Sequence, residues 1–121
     1  MLLRSKETAE HYVWGDGCDG WRLADHSRLS VIEERMPPGA SEIRHYHAEA
    51  MQFFYVLRGE LRIEIEGRTF VLGERQGLEI APMRPHQVIN SGTQPAEFLV
   101  VSQPTTRGDR YEARAEGGEV D

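Results

Sequence analysis

Five histidines punctuate the chain, and three of them stand where they could do chemistry together. His45 and His47 are two apart, so on a strand their imidazoles leave the same face, with Ile43 at the same parity. They follow the turn-forming Pro37-Pro38-Gly39, and His86 comes much later, after Pro82-Met83-Arg84-Pro85, at the start of another run of strand-forming residues. Imidazoles converging from separate strands are a common way to hold a divalent transition metal, since neutral imidazole suits Zn, Cu, Fe and Ni. An isolated His-x-His pair on an exposed strand would simply be solvated. His11 and His26 lie outside the pattern and read as surface residues.

The wider spacing sharpens the reading. From Gly39 the chain runs Gly39-x5-His45-x-His47-x4-Gln52-x6-Gly59, and later His86-x3-Asn90 preceded by Pro82. In these stretches the sequence resembles the cupin superfamily, whose two motifs are Gly-x5-His-x-His-x3,4-Glu-x6-Gly and Pro-x-Gly-x2-His-x3-Asn. The resemblance spans roughly residues 28–104 and implies an all-β fold, a double-stranded β-helix or jelly-roll barrel, with a divalent metal (Mn, Fe, Ni, Co or Zn) inside one end. His45, His47 and His86 match the family's three histidine ligands position for position.

Two departures change the expected chemistry. Gln52 occupies the acidic ligand position; its carbonyl oxygen can coordinate, but it is a weaker donor and brings no charge. With three neutral histidines and Gln52, a bound divalent ion would keep its full charge, a setting for Lewis-acid chemistry on an anionic substrate. Glu49 shares parity with His47 but falls in the loop expected after it, which favours Gln52 as the fourth ligand. Met83 stands where the family usually has glycine, and with Arg84 it either shapes the pocket mouth or, the plainer reading, lies in a solvent-facing loop. The ligand set with Gln is similar to that of small cupins that isomerise unsaturated uronic acids, although their Asp and Arg positions after the second motif find no clear match here. Arg35, Arg84, Arg107 and Asp109 are further polar candidates, an Arg being suited to a substrate carboxylate.

The elements that must carry these residues are strands. Leu61, Ile63 and Ile65 share one parity and Arg62, Glu64 and Glu66 the other, the pattern of a strand with one buried face. Glu66-Gly67-Arg68 reads as a turn into a returning strand over Thr69–Leu72. Further strands are expected over Leu29–Met36, Gln52–Leu57, Gly77–Ala81, Gln87–Ile89 and Glu97–Ser102, separated by Gly and Pro signals. Leu61, Ile63, Ile65, Leu78 and Ile80 are assigned to the core. Arg44 and Tyr46 have parity opposite to the histidines and should face away from them. The barrel is expected over 29–110. Residues 1–28, with Trp14 and Trp21 bracketing a Gly-rich loop, read as a segment packed on the barrel or on a dimer partner, and 111–121 as a disordered tail.

Composition excludes much else. The chain has 121 residues and a formal charge of −6, room for one core. Its longest apolar run, Phe53–Leu57, is far short of the ~20 residues that span a bilayer, and no signal-like series opens the chain. The acidic balance argues against nucleic acid. A lone Cys18 precludes an internal disulfide, so a reducing, cytoplasmic setting is expected. The expected function is a metal-dependent enzyme, isomerase- or lyase-like, acting on a small anionic or sugar-like substrate, in a homodimer. A cupin dioxygenase and a non-catalytic ligand-binding or sensory cupin remain alternatives.

Overall fold

A computed structural model describes residues 1–114. Its strands, in chain order, are β1 (Glu10–Trp14), β2 (Cys18–Asp25), β3 (Ser30–Met36), β4 (His45–Tyr46), β5 (Met51–Arg58), β6 (Leu61–Ile65), β7 (Arg68–Leu72), β8 (Gly77–Ile80), β9 (His86–Ile89), β10 (Ala96–Gln103) and β11 (Tyr111–Glu112). No helix occurs among the described residues. The strands form two antiparallel sheets, a six-stranded one ordered β1-β2-β3-β10-β5-β8 and a five-stranded one ordered β11-β4-β9-β6-β7. They face each other as a jelly roll, the fold that the family resemblance implied.

Alternation builds the interior. On β5, Gln52, Phe54 and Val56 are buried while Phe53 and Leu57 are exposed; on β10, Ala96, Phe98, Val100 and Ser102 point inward. Leu61, Ile63 and Ile80 are buried and Ile65 and Leu78 pack against the same cluster, as their parity required. Phe98 is fully buried and Phe54 nearly so, their rings 6.1 Å apart; truncating either to Ala would cost about 3–5 kcal/mol. Phe54 also meets His86 edge-on at 6.4 Å, so the apolar filling runs directly into the histidines.

The motif residues outside the ligand set secure the opposite end. Asn90 is buried, and its Nδ2 donates to the carbonyls of Met36 and Gln94 at 2.9 Å each, while its Oδ1 accepts from Gly92 N–H at 3.0 Å. Gly59 has φ +81°, and a Cβ there would lie 2.5 Å from the Pro95 carbonyl oxygen, which explains why this turn takes no side chain.

Segments before and after the expected barrel core also belong to the sheets. The first 28 residues contain β1 and β2, and β2 pairs with β3 from Asp19↔Arg35 to Asp25↔Ser30, so this segment widens the six-stranded sheet. Its alternation was broken by Gly20 and Arg22 at inward positions, which masked the strand. Trp14 faces inward, its Nε1 donating to the Asp19 carbonyl at 3.1 Å, whereas Trp21 lies on the other face with Lys6 Nζ 4.2 Å from its ring centroid. Of the tail expected over 111–121, Tyr111 and Glu112 instead form β11 beside β4, and Tyr111 stacks on Tyr46 at 5.3 Å. Residues 115–121 lie outside the described residues.

Candidate metal centre

β4 is only two residues long, yet it places the first histidine. His45 stands opposite His86 in the β4–β9 register, and their ring centroids are 4.5 Å apart. His47 follows immediately after β4, its ring 4.9 Å from His45 and 5.7 Å from His86. The three are buried, and one ring nitrogen from each lies within 4.8 Å of the others. The five-stranded sheet thus brings the three sequence-predicted histidines together. Gln52 reaches the same cavity from β5 in the facing sheet.

The other ring nitrogens orient these groups. Nδ1 of His45, His47 and His86 donates to the carbonyls of Ile43 (2.8 Å), Asp109 (2.5 Å) and Arg84 (2.8 Å) respectively. A carbonyl can only accept, so each Nδ1 carries the proton and each Nε2 presents a lone pair. The Nε2 atoms of His47 and His86 are buried without a hydrogen-bond partner, and so is Oε1 of Gln52. Gln52 Nε2 donates to Ser102 Oγ at 3.1 Å, which turns the amide oxygen toward the histidines. Buried, unpartnered acceptors are costly, and several sharing one cavity are a donor set for a cation.

Burial also keeps the imidazoles neutral. It lowers His45 to about 3 and His86 to about 4, and depresses His47 as well, each opposed by its Nδ1 hydrogen bond. Neutral imidazole is the ligating form.

Asp109, a candidate for substrate or proton chemistry from its sequence, has a different task. Its carboxylate accepts the backbone N–H groups of Ala48 (2.7 Å), Glu49 (3.0 Å) and Ala50 (3.0 Å), so it pins the loop after His47 while its carbonyl orients the His47 ring. Burial pushes its pKa up, but the three N–H bonds outweigh this and the group ends below the usual carboxylate value. Glu49 is exposed, away from the histidines. Arg44 faces away from them as parity required, its guanidinium paired with Glu64 at 2.7 and 3.1 Å. Arg84 contributes its carbonyl to His86, and its side chain pairs with Glu66 at 2.5 Å on the surface. Met83 has φ +69° and donates its N–H to the His47 carbonyl at 2.7 Å. The loop therefore keeps the left-handed conformation that a glycine would adopt freely, with Met paying steric strain.

The centre opens into a cavity of about 290 Å³. Its apolar lining includes Trp14, Ile32, Phe54 and Val100; Arg22, Arg107 and Arg110 supply positive charge, and Tyr12, Glu34 and Glu42 are among its other polar groups. Of these, only Arg107 was among the candidates from the sequence, and its guanidinium pairs with Asp25 at 2.7 Å. A signal for Glu34 existed: it shares the parity of Ile32 and Met36, an acid at an inward position of a strand. Burial raises Glu34 to about 7, and burial with the neighbouring charge of Glu34 raises Glu42 to about 8.

A jelly roll with imidazoles gathered inside one end is the architecture of cupins, and the family model described as Cupin domain matches residues 32–102. The chain belongs to the cupin family. It is 35% identical over 69 residues to a polyketide synthase, CurC, of Streptomyces cyaneus; the match covers 57% of this chain and 45% of that protein, so it spans less than half of the relative's length. Among solved structures, the polyketide cyclase RemF of Streptomyces resistomycificus superposes with TM-score 0.79 at 22% identity, covering 93% of this chain and 85% of that one. KdgF of a Halomonas species gives TM-score 0.79 at 16% identity, over 87% and 94% of the two chains. A sugar phosphate isomerase of Silicibacter pomeroyi gives 0.77 at 23%, over 99% and 97%. At these identities the structural likenesses establish the fold.

Proposed function

We propose that this chain is a metal-dependent enzyme that rearranges or cyclises a small, oxygen-rich carbonyl compound, with His45, His47, Gln52 and His86 as ligands of a divalent transition metal. The observation that carries the reading is the orphaned, buried acceptor set: the Nε2 atoms of His47 and His86 and the Oε1 of Gln52 have no hydrogen-bond partner, and one ring nitrogen of each of His45, His47 and His86 lies within 4.8 Å of the others. When bound, such an ion supplies Lewis-acid polarisation of a substrate oxygen, and a ligand set without a carboxylate leaves its charge undiminished.

The chain's own groups do the rest. Trp14, Ile32, Phe54 and Val100 exclude water from the substrate, and Arg22 and Arg110 offer charge to an anionic or enolate oxygen. A polyketide-derived poly-carbonyl compound is the favoured substrate class, because the 35% identical relative is named a polyketide synthase and a structural neighbour a polyketide cyclase. A sugar-like acid is the second class, in keeping with the neighbour named a sugar phosphate isomerase. The exposed Phe53 and Leu57 on the outer face of the six-stranded sheet support a homodimer formed through that face, to be checked by mass in solution. No described helix is long and apolar enough to cross a membrane; a reducing cytoplasmic compartment would suit the free, buried Cys18.

Elemental analysis after incubation with Mn, Fe, Co, Ni and Zn tests the centre, with a His45→Ala/His47→Ala variant beside the native chain. One metal per native chain and none in the variant is expected. A native protein that takes up none of the five overturns the reading. Oxygen consumption by the iron-loaded protein with a poly-carbonyl substrate would replace it with an oxygenase.

A further inference from the structure

The wall of the cavity facing the histidines holds a carboxyl group that ligation leaves unused. Glu34, at an inward position of β3, lines the cavity together with His45, His47 and Gln52. Tyr12 reaches it from two strands away, its Oη donating to Glu34 Oε2 at 3.3 Å. Register makes this reach possible: Tyr12 pairs with Gly20 across β1 and β2, and Gly20 pairs with Glu34 across β2 and β3, so the three stand in one row. A Cβ on Gly20 would lie 2.3 Å from Tyr12 Cζ and 2.6 Å from its Oη. Only a residue without a side chain lets the phenol ring lie across β2. Arg22 closes over the ring, its Cζ 4.4 Å from the centroid.

The other carboxyl in the cavity is already committed. Glu42 Oε2 accepts the Val88 N–H at 3.0 Å and lies 3.9 Å from His45 Nδ1, while its Oε1 is 3.9 Å from Arg110. Glu34 has Tyr12 as its hydrogen-bond partner and faces the open space. The charged and titratable groups around it are Tyr12 on β1, Cys18 and Arg22 on β2, Glu42 before β4 and Arg110 after β10. Burial places its midpoint near 7, where a carboxyl can both take and give a proton.

We propose that Glu34 is the proton-transfer residue of this cavity, with Tyr12, seated over Gly20, as the positioning residue that aims its carboxyl at the bound substrate. The proposal rests on the metal-dependent reading above. The Glu34 carboxylate removes a proton from the carbon beside a substrate carbonyl; the C–H electron pair becomes the carbon–carbon double bond of an enolate and the carbonyl π pair moves to oxygen. The resulting carboxylic acid returns the proton to another atom of the same molecule. No electrons leave the substrate and no second reactant is needed.

Proton exchange tests this directly. The metal-loaded full chain is incubated in D2O with dihydroxyacetone and, separately, with levulinate, and loss of carbon-bound protons is followed by NMR, with metal content measured on the same samples. Native protein should exchange at least one probe, and Glu34→Gln should slow that exchange by about 100-fold or more with metal content unchanged. Tyr12→Phe should retain partial exchange and move the midpoint of its pH profile upward, because the lost hydrogen bond favoured the ionised carboxylate; a phenol that merely filled space would leave the midpoint in place. Gly20→Ala, which alters neither partner, should do the same, and Tyr12→Phe carries the test if Gly20→Ala fails to fold. In metal-free protein, the infrared band of a protonated carboxyl titrating near 7 should be missing from Glu34→Gln. Exchange by Glu34→Gln at the native rate overturns the proposal, as does a metal-loaded native protein that exchanges neither probe; both leave the metal reading standing. A native protein that binds no metal overturns that reading and the proposal with it.

Discussion

The two walls of the cavity are built on different principles. On the five-stranded sheet, His45, His47 and His86 are each held by a hydrogen bond from Nδ1 to a backbone carbonyl, two of those carbonyls lying two residues from the ring they orient. On the six-stranded sheet, Tyr12 and Glu34 meet across an intervening strand, 22 residues apart, through a glycine that belongs to neither. The first wall is mostly local geometry and carries a spacing motif; the second is purely register and carries none. Groups placed by local geometry can therefore be read from a motif, while groups that meet across strands depend on how the strands align.

The largest test of the contrast removes a proposed ligand. His86→Ala should abolish the rise in melting temperature on metal addition, which for the native chain at 100 times Kd corresponds to about 2.7 kcal/mol; Tyr12→Phe should keep that rise in full. Calorimetry with and without a chelator measures both.

Next comes the clamp behind the histidines. Asp109→Ala strips three backbone N–H groups of a charged acceptor and should cost about 3 kcal/mol in denaturant unfolding. It should also weaken metal binding by about 10–100-fold, the usual effect of losing the groups that orient ligands.

The imidazoles and the carboxyls of the cavity also respond to pH in opposite senses. In metal-free protein, the imidazoles stay neutral while the unfolded chain takes up protons below 6.5, so stability falls as pH drops from 6.5 toward 4. Glu34 and Glu42 stay protonated while the unfolded chain ionises above 4.5, so they cost stability as pH rises from 4.5 through 7 and 8. The contributions oppose each other between 4.5 and 6.5, and above that only the carboxyls act. Melting temperature should peak near 6.5 and fall by several degrees toward 8, and Glu34→Gln should remove part of the alkaline fall. A curve that rises through this range would contradict the raised carboxyls.

The smallest effect is at the loop before His86. Met83→Gly relieves a left-handed residue and should raise stability by about 1 kcal/mol with metal affinity unchanged.

From residues alone came an all-β chain of short strands, the inward face of β6 and the shared face of His45 and His47, since alternation and short-range spacing decide which side a strand's residues take; the jelly roll, His86 and Gln52 came with the cupin resemblance. Tertiary structure decided the rest. Residues 1–28 proved to hold two sheet strands because their pairing partner, β3, supplies the ladder that their broken alternation concealed. Asp109 became a loop clamp because 60 residues of chain return it to the Ala48–Ala50 amides. Glu34 met Tyr12 because Gly20 lies between them in register. Parity is written in a single strand; the contents of a cavity depend on which strands are neighbours, and only the closed sheets determine that.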